Sequence, residues 1–286
     1  MDRREVLKGT VATAGVVGVL GVTYGPSLWK GYNDSVRAES LKGDIAKLKA
    51  EIIARNSPPG RSLELQATED EVTRFAKNNL GQEVQIDPVR SLWVLKAALH
   101  NLKTELEMYP AQLVQTRIKK IVLMERSNGQ TEDTGRNGFA VPDNGEAFIG
   151  IPALLRAHFT AMGNALPRVT AHHELGHVFL GLEPKMLEDW AKLNSPDFAY
   201  AIGIRIFRNR KTKQRGFADA YGETSVVEDM ATVFERMMLE PTRFPHSTDP
   251  GDDILATKVQ FIKERLKAIL PEMDDAYWAR LAGRRN

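Results

Sequence analysis

Apolar positions along the chain change their period several times, and each change predicts an element. Leu41, Ile45, Leu48 and Ile52 recur at spacings of four, three and four, a stripe on one face of a helix whose other positions carry Lys and Glu. Fewer than four heptads are present, so this is a spacer helix that packs on the domain rather than a coiled coil. Ser57-Pro58-Pro59-Gly60 then breaks the chain and marks a domain boundary. From Leu63 the pattern is helical for some fifty residues, with Thr68-Glu69-Asp70-Glu71 as a helix start and 91–109 as a strong amphipathic helix stopped by Pro110. A β-rich run at 118–124 follows, and short strands at 139–141 and 147–151 come after a stretch rich in Gly, Asn and Asp. Pro167 suits the first turn of a helix reaching about Leu180, with Gly181 just past its end. Thr224 or Ser225 caps another helix that runs to about Leu239 before Pro241, and 252–270 is a last amphipathic helix. The expected fold class is α+β, mostly helical with a small mixed sheet.

The N-terminus departs from this amphipathic pattern. A basic head (Arg3, Arg4, Lys8) precedes about 21 uncharged residues, Gly9 to Trp29, roughly enough to cross a bilayer as a helix. Asp2-Arg3-Arg4-Glu5-Val6-Leu7-Lys8 resembles the twin-arginine export signal, whose route carries folded proteins. Ala12-Thr13-Ala14 lies inside the apolar run, too early for a cleavage site, which favours an uncleaved anchor. The expected organisation is a signal or membrane anchor over 1–30, a spacer helix and linker over 31–60, and one domain over 61–286, with the bulk of the chain outside the cytoplasm (periplasm or cell surface). Membrane contact is then through the N-terminal segment.

Composition narrows the chemistry. With 42% hydrophobic and 27% charged residues the chain is ordinary globular material, and a net charge of +2 gives no whole-protein case for nucleic acid. There is no cysteine, which excludes disulfide scaffolds, thiolate metal sites and cysteine nucleophiles together. The basic run at 205–215 reads as a solvated loop, with contact to anionic lipid or an acidic substrate as the functional reading.

The chemistry concentrates in AHHELGHVFLGLEPK, residues 171–185. His173 and His177 are four apart on the expected helix, so both imidazoles project from one face and can hold a zinc ion. Glu174, one residue round the helix, reaches a water on that ion and can take its proton as the water attacks a carbonyl. Gly176 lets other backbone approach this face. His172 points about 100° away and is expected in packing or behind the ligands. Three of the six histidines fall within six residues on an otherwise apolar helix, so chance is a poor account of the pattern.

A catalytic zinc takes three protein ligands and keeps one position open. The extended metzincin pattern would need Gly at 180 and His at 183, where the chain has Leu180 and Glu183. A glutamate from a second helix is the other arrangement, that of the gluzincins. Glu228 lies in the second turn of the helix begun at Ser225, in an apolar stretch where a carboxylate is costly without a partner. Its neighbour Asp229 is the alternative ligand. A ligating histidine also wants a carboxylate on its other nitrogen, for which Asp229 or Asp219 are candidates.

Tyr221-Gly222, a glutamate seven residues after the tyrosine, then Glu-x-x-Ala-x-x-Phe, together with His173-Glu174-x-x-His177, resembles the family of anthrax lethal factor and the Pro-Pro endopeptidases. The resemblance covers the zinc helix and part of the last third of the chain. It implies a zincin-like catalytic domain over 61–286 that hydrolyses peptide bonds in a protein or peptide substrate with one Zn2+ per chain. It implies Glu228 as the third zinc ligand beside His173 and His177, Glu174 as the base, and the Tyr221 hydroxyl as oxyanion donor. It also implies that an edge strand above the metal, here 147–151, pairs with substrate backbone. Thermolysin-like gluzincins have Glu-x-x-x-Asp, but this chain has Thr232 at that place. Two other expectations stay open: a non-catalytic zinc-binding assembly protein, and a zinc amidase acting on cell-wall peptide.

Overall fold

The computed structural model describes residues 38–66, 74–77, 83–86, 89, 92–126, 138–152, 165–201, 214–244 and 251–285. The chain divides into two compact units, 1–46 and 47–286. Of the first, residues 38–46 are described, and they are helical. The basic head and the apolar segment to Trp29 lie outside the described residues. Among the described residues, no helix is long and apolar enough to cross a membrane.

The second unit opens with helix α1 (residues 47–56), whose Ile52 is buried as its stripe requires. Arg55 fastens it to α2 (Leu92–Leu106) by donating to the carbonyl oxygens of Leu106 at 3.0 Å and Tyr109 at 2.9 Å. The Leu106 carbonyl, at the helix end, also takes the Tyr109 N–H at 3.2 Å, and a guanidinium fork suits the lone pairs left at such an end. Leu95, Ala98, Leu99, Leu102 and Leu106 form the buried face of α2, and Glu105 shares it. Pro110 ends the run by standing as N-cap of the short α3 (Ala111–Arg117).

The long helical run expected from Leu63 is not found. Residues 64–66, 74–77 and 83–86 are strands β1 (Glu64–Gln66), β2 (Arg74–Lys77) and β3 (Glu83–Ile86). Leu63 and Leu65 are buried while Glu64 is exposed, and Val84 and Ile86 alternate with polar residues, so the period here is two and not 3.6. The proposed helix start at Thr68–Glu71 lies outside the described residues. β2 and β3 pair antiparallel on their own.

The main sheet has the order β1-β4-β6-β5, with β4 (Lys120–Arg126), β5 (Gly138–Val141) and β6 (Glu146–Pro152). β1, β4 and β6 run parallel, pairing Leu65 with Ile121 and Val122 with Phe148, whereas β5 runs antiparallel to β6. The strand at 147–151 is therefore interior, and the expectation of an edge there is corrected. Its Ala147-Phe148-Ile149 run is buried on both faces, as a central strand must be, and among the described strands the edges are β1 and β5. Phe139 and Phe148 stack at 4.2 Å between ring centroids across this last pair.

Helix α4 (Ala165–Leu180) lies against β5 and β6 on one side and against α2 and α6 (Val226–Leu239) on others. Residues 170–180 are all buried, polar and apolar alike, as in a helix enclosed by neighbours. Gly181, at φ 78°, ends it in the left-handed conformation. The short α5 (Pro184–Ala191), then α7 (Asp253–Ile269) and α8 (Asp275–Arg285), complete the described helices.

Candidate metal centre

On α4, His173 and His177 stand one turn apart with ring centroids 4.9 Å from each other, and both are buried. The facing wall is the N-terminus of α6. Ser225 is its N-cap, with extended backbone, and its Oγ accepts the Glu228 N–H at 3.3 Å. Thr224 instead donates its hydroxyl to the Tyr221 carbonyl at 2.7 Å. Ser225-x-x-Glu228 has the sequence form of a capping box, yet the carboxylate is turned toward the two histidines. Glu228 Oε2 lies 2.9 Å from His173 Nε2 and 3.4 Å from His177 Nε2.

Ligand atoms of His173, His177 and Glu228 all fall within 4.8 Å of one another. Two imidazole nitrogens and one carboxylate oxygen, converging from two rigid helices, fit a tetrahedral zinc with one position left open. Burial alone would raise the Glu228 carboxyl, but the charge and hydrogen bonds of His177 and His173 outweigh it and hold it well below the usual carboxylate range. The first turn of α6 adds a favourable dipole. Glu228, and not its neighbour Asp229, is the carboxylate that meets the histidines.

His173 Nδ1 lies 3.2 Å from Glu235 Oε2. A neutral ring with its hydrogen on Nδ1 donates to Glu235 and leaves the Nε2 lone pair for a metal. Glu235 thus stands where the sequence offers Asp229 or Asp219 as candidates. The signal for Glu235 was its place two turns beyond Glu228 on the same helix, buried in an apolar stretch. Asp219 Oδ1 accepts the N–H groups of Tyr221 at 2.9 Å and Gly222 at 3.1 Å, fixing the turn that carries the tyrosine. The Tyr221 ring stands beside His173, with centroids 5.8 Å apart. Glu174 is buried on α4 next to the ligands. Gly176 admits the Phe234 ring rather than backbone, since a Cβ there would lie 2.7 Å from Phe234 Cδ1.

Each ligand-bearing helix is fastened from behind by a buried polar group. Behind α4, His172 is fully buried, with Nε2 2.8 Å from Glu105 Oε2 and Nδ1 against the Tyr109 hydroxyl. Arg285 pairs with the same Glu105, and Arg168 Nε lies 2.6 Å from its other oxygen. Burial would raise the Glu105 carboxyl, but His172 and Arg285 hold it below its ordinary value. Behind α6, Asp229 Oδ2 takes the Lys258 ammonium at 2.6 Å, the Trp190 indole N–H at 2.9 Å and the Tyr200 hydroxyl at 2.9 Å. Of the basic run at 205–215, Gln214 and Arg215 are described, and Arg215 donates to the Gly251 carbonyl at 2.6 Å.

No family model matches the chain, and no curated protein matches it. Among solved structures it is similar to a crystal structure from Bacteroides caccae described as a "putative zinc-binding metallo-peptidase", at a TM-score of 0.54 and 17% identity over 86% of this chain and 93% of that one. The chain has a zinc metallopeptidase-like fold, and its described residues bring together a His-His-Glu group that can hold a metal.

Proposed function

We propose that the chain is a zinc-dependent endopeptidase of gluzincin type, with His173, His177 and Glu228 holding one zinc ion. The convergence of these three donors, with Glu228 facing the histidines from a separate helix, carries the reading. Zinc held there supplies Lewis acidity, polarising a carbonyl and making water nucleophilic near neutral pH. Glu174 takes the proton of the attacking water and passes it to the leaving amine nitrogen. Tyr221 donates its hydroxyl to the oxyanion of the tetrahedral intermediate. Glu235 keeps the His173 ring in its ligating tautomer. Extended substrate backbone pairs along β5, the edge strand beside α4. The Arg3-Arg4 head supports a location outside the cytoplasm, reached by the twin-arginine route.

The test uses the full-length chain: zinc stoichiometry, then hydrolysis of a quenched-fluorescent decapeptide library. Glu174→Gln is expected to keep its zinc and lose about 10²–10⁴-fold in rate. Zinc well below one per chain in the wild type, or undiminished hydrolysis in Glu174→Gln, sinks the proposal. Zinc without turnover marks a binding protein instead, and turnover confined to cell-wall peptide marks an amidase.

A further inference from the structure

Gly138, the first residue of β5, is buried and pairs in register with Ile149 of β6. Its φ is not among the positive ones, so the backbone there is one that any residue can adopt. Space is what excludes a side chain. A Cβ at 138 would lie 2.5 Å from the Phe148 carbonyl oxygen and 2.8 Å from both Cγ and Oε1 of Glu174. The Phe148 carbonyl is backbone of the neighbouring strand and does not give way freely, so the strain falls on the position of β5 and on the Glu174 side chain. Ordinary contact begins near 3.4 Å, so the added atom must open the gap to Glu174 by about 0.6 Å (3.4 less 2.8).

We propose that Gly138 is a positioning residue: lacking a Cβ, it lets the edge strand lie directly against the Glu174 carboxylate and so sets the base against a peptide bond held along that strand. The proposal rests on the peptidase reading above. A misplacement of about 1 Å can cost on the order of 10²-fold in rate. Gly138→Ala therefore lowers kcat about ten- to a hundredfold while the zinc content stays at the wild-type level and KM stays within about threefold.

Gly145→Ala is the control. Gly145 opens the turn into β6 at φ 69°, and a Cβ there would lie 2.6 Å from the Arg117 carbonyl oxygen, so it strains the same sheet without touching Glu174. Both variants are made in the full chain and measured for zinc, thermal midpoint, kcat and KM on the best library peptide. A kcat within threefold of wild type in Gly138→Ala, loss of its zinc, or an equal fall in Gly145→Ala at matched midpoint overturns the assignment. A second arm needs no activity. If the clash is with the carboxylate, Gly138→Ala lowers the midpoint less in a Glu174→Ala background than in wild type, and equal losses in the two backgrounds overturn the contact itself. A wild type that hydrolyses no peptide ends the peptidase reading alone, because this second arm still decides whether Gly138 and Glu174 press on each other.

Discussion

Replacing Lys258 by Met tests how the ligand-bearing helix α6 is held. The ammonium is fully buried, 2.6 Å from Asp229 Oδ2, and also donates to the Gly216 carbonyl at 2.7 Å. Met conserves the volume but leaves Asp229 Oδ2 with the neutral donors of Trp190 and Tyr200 and no cation. Burial pushes the Asp229 carboxyl up to about 6 even with Lys258 pulling it down. Without the lysine it rises further and takes a proton at neutral pH. Protonating an aspartate of ordinary pKa near 3.9 at pH 7 costs about 4 kcal/mol at roughly 1.4 kcal/mol per unit. Breaking a buried pair costs about 3–5 kcal/mol, and relief of the buried ammonium offsets part of either figure. The expected loss is about 2–4 kcal/mol at pH 7.5.

The sign in pH follows from the raised folded-state value. Wild type also keeps this proton below about pH 6, where the unfolded chain has released it, so the variant's deficit from this group opens above about pH 6, grows with pH toward the variant's higher folded value, and fades below about pH 6. Urea titrations of the full chain at pH 7.5 and 4.5 measure both, and Asp229→Asn with Lys258→Met should recover most of the loss. A deficit under about 1 kcal/mol at pH 7.5, or one equal at the two pH values, refutes the reasoning.

Glu235→Gln should weaken zinc about 10–100-fold, read by competition with a chromophoric chelator, because the His173 ring loses its charged acceptor. Glu105→Gln leaves Arg285 without its carboxylate and should cost about 3–5 kcal/mol at pH 7 by denaturant titration. The folded-state pKa of Glu105 is lowered, so its contribution is present above about pH 4.3 and lost as pH falls through the folded value. Wild type and Glu105→Gln should therefore converge in stability on acidification.

What the sequence made legible were features carried by local rules. The spacing of His173 and His177, a cap at Thr224 or Ser225 and a carboxylate in an apolar stretch each follow from helix geometry, which narrows the third donor to Glu228 or Asp229; the family resemblance points to Glu228. Strand order is non-local, and this is why 147–151 was read as an edge: nothing within that run says whether β4, β5 or both lie beside it. The strands after Leu63 are three and four residues long, too short for their alternation to outweigh the helical pattern that follows. Lys258 and Glu105 are irregularities that the sequence reading above does not use. Lys258 interrupts the stripe Leu255, Ile262, Leu266, and Glu105 continues the stripe Ala98, Leu102. A charge on an apolar face announces a buried partner but does not name it. The partners, Asp229 and His172, come from 29 and 67 residues away.

The two polar clusters behind α4 and α6 have a kinetic corollary. On the proposed function, walls clamped from outside would meet ion and peptide already arranged, so association would freeze few torsions and the reorganisation energy of the centre would be small. Under the proposed peptidase function, turnover would then wait on arrival, proton transfer and departure, with the two helices as a fixed anvil under the reacting bond.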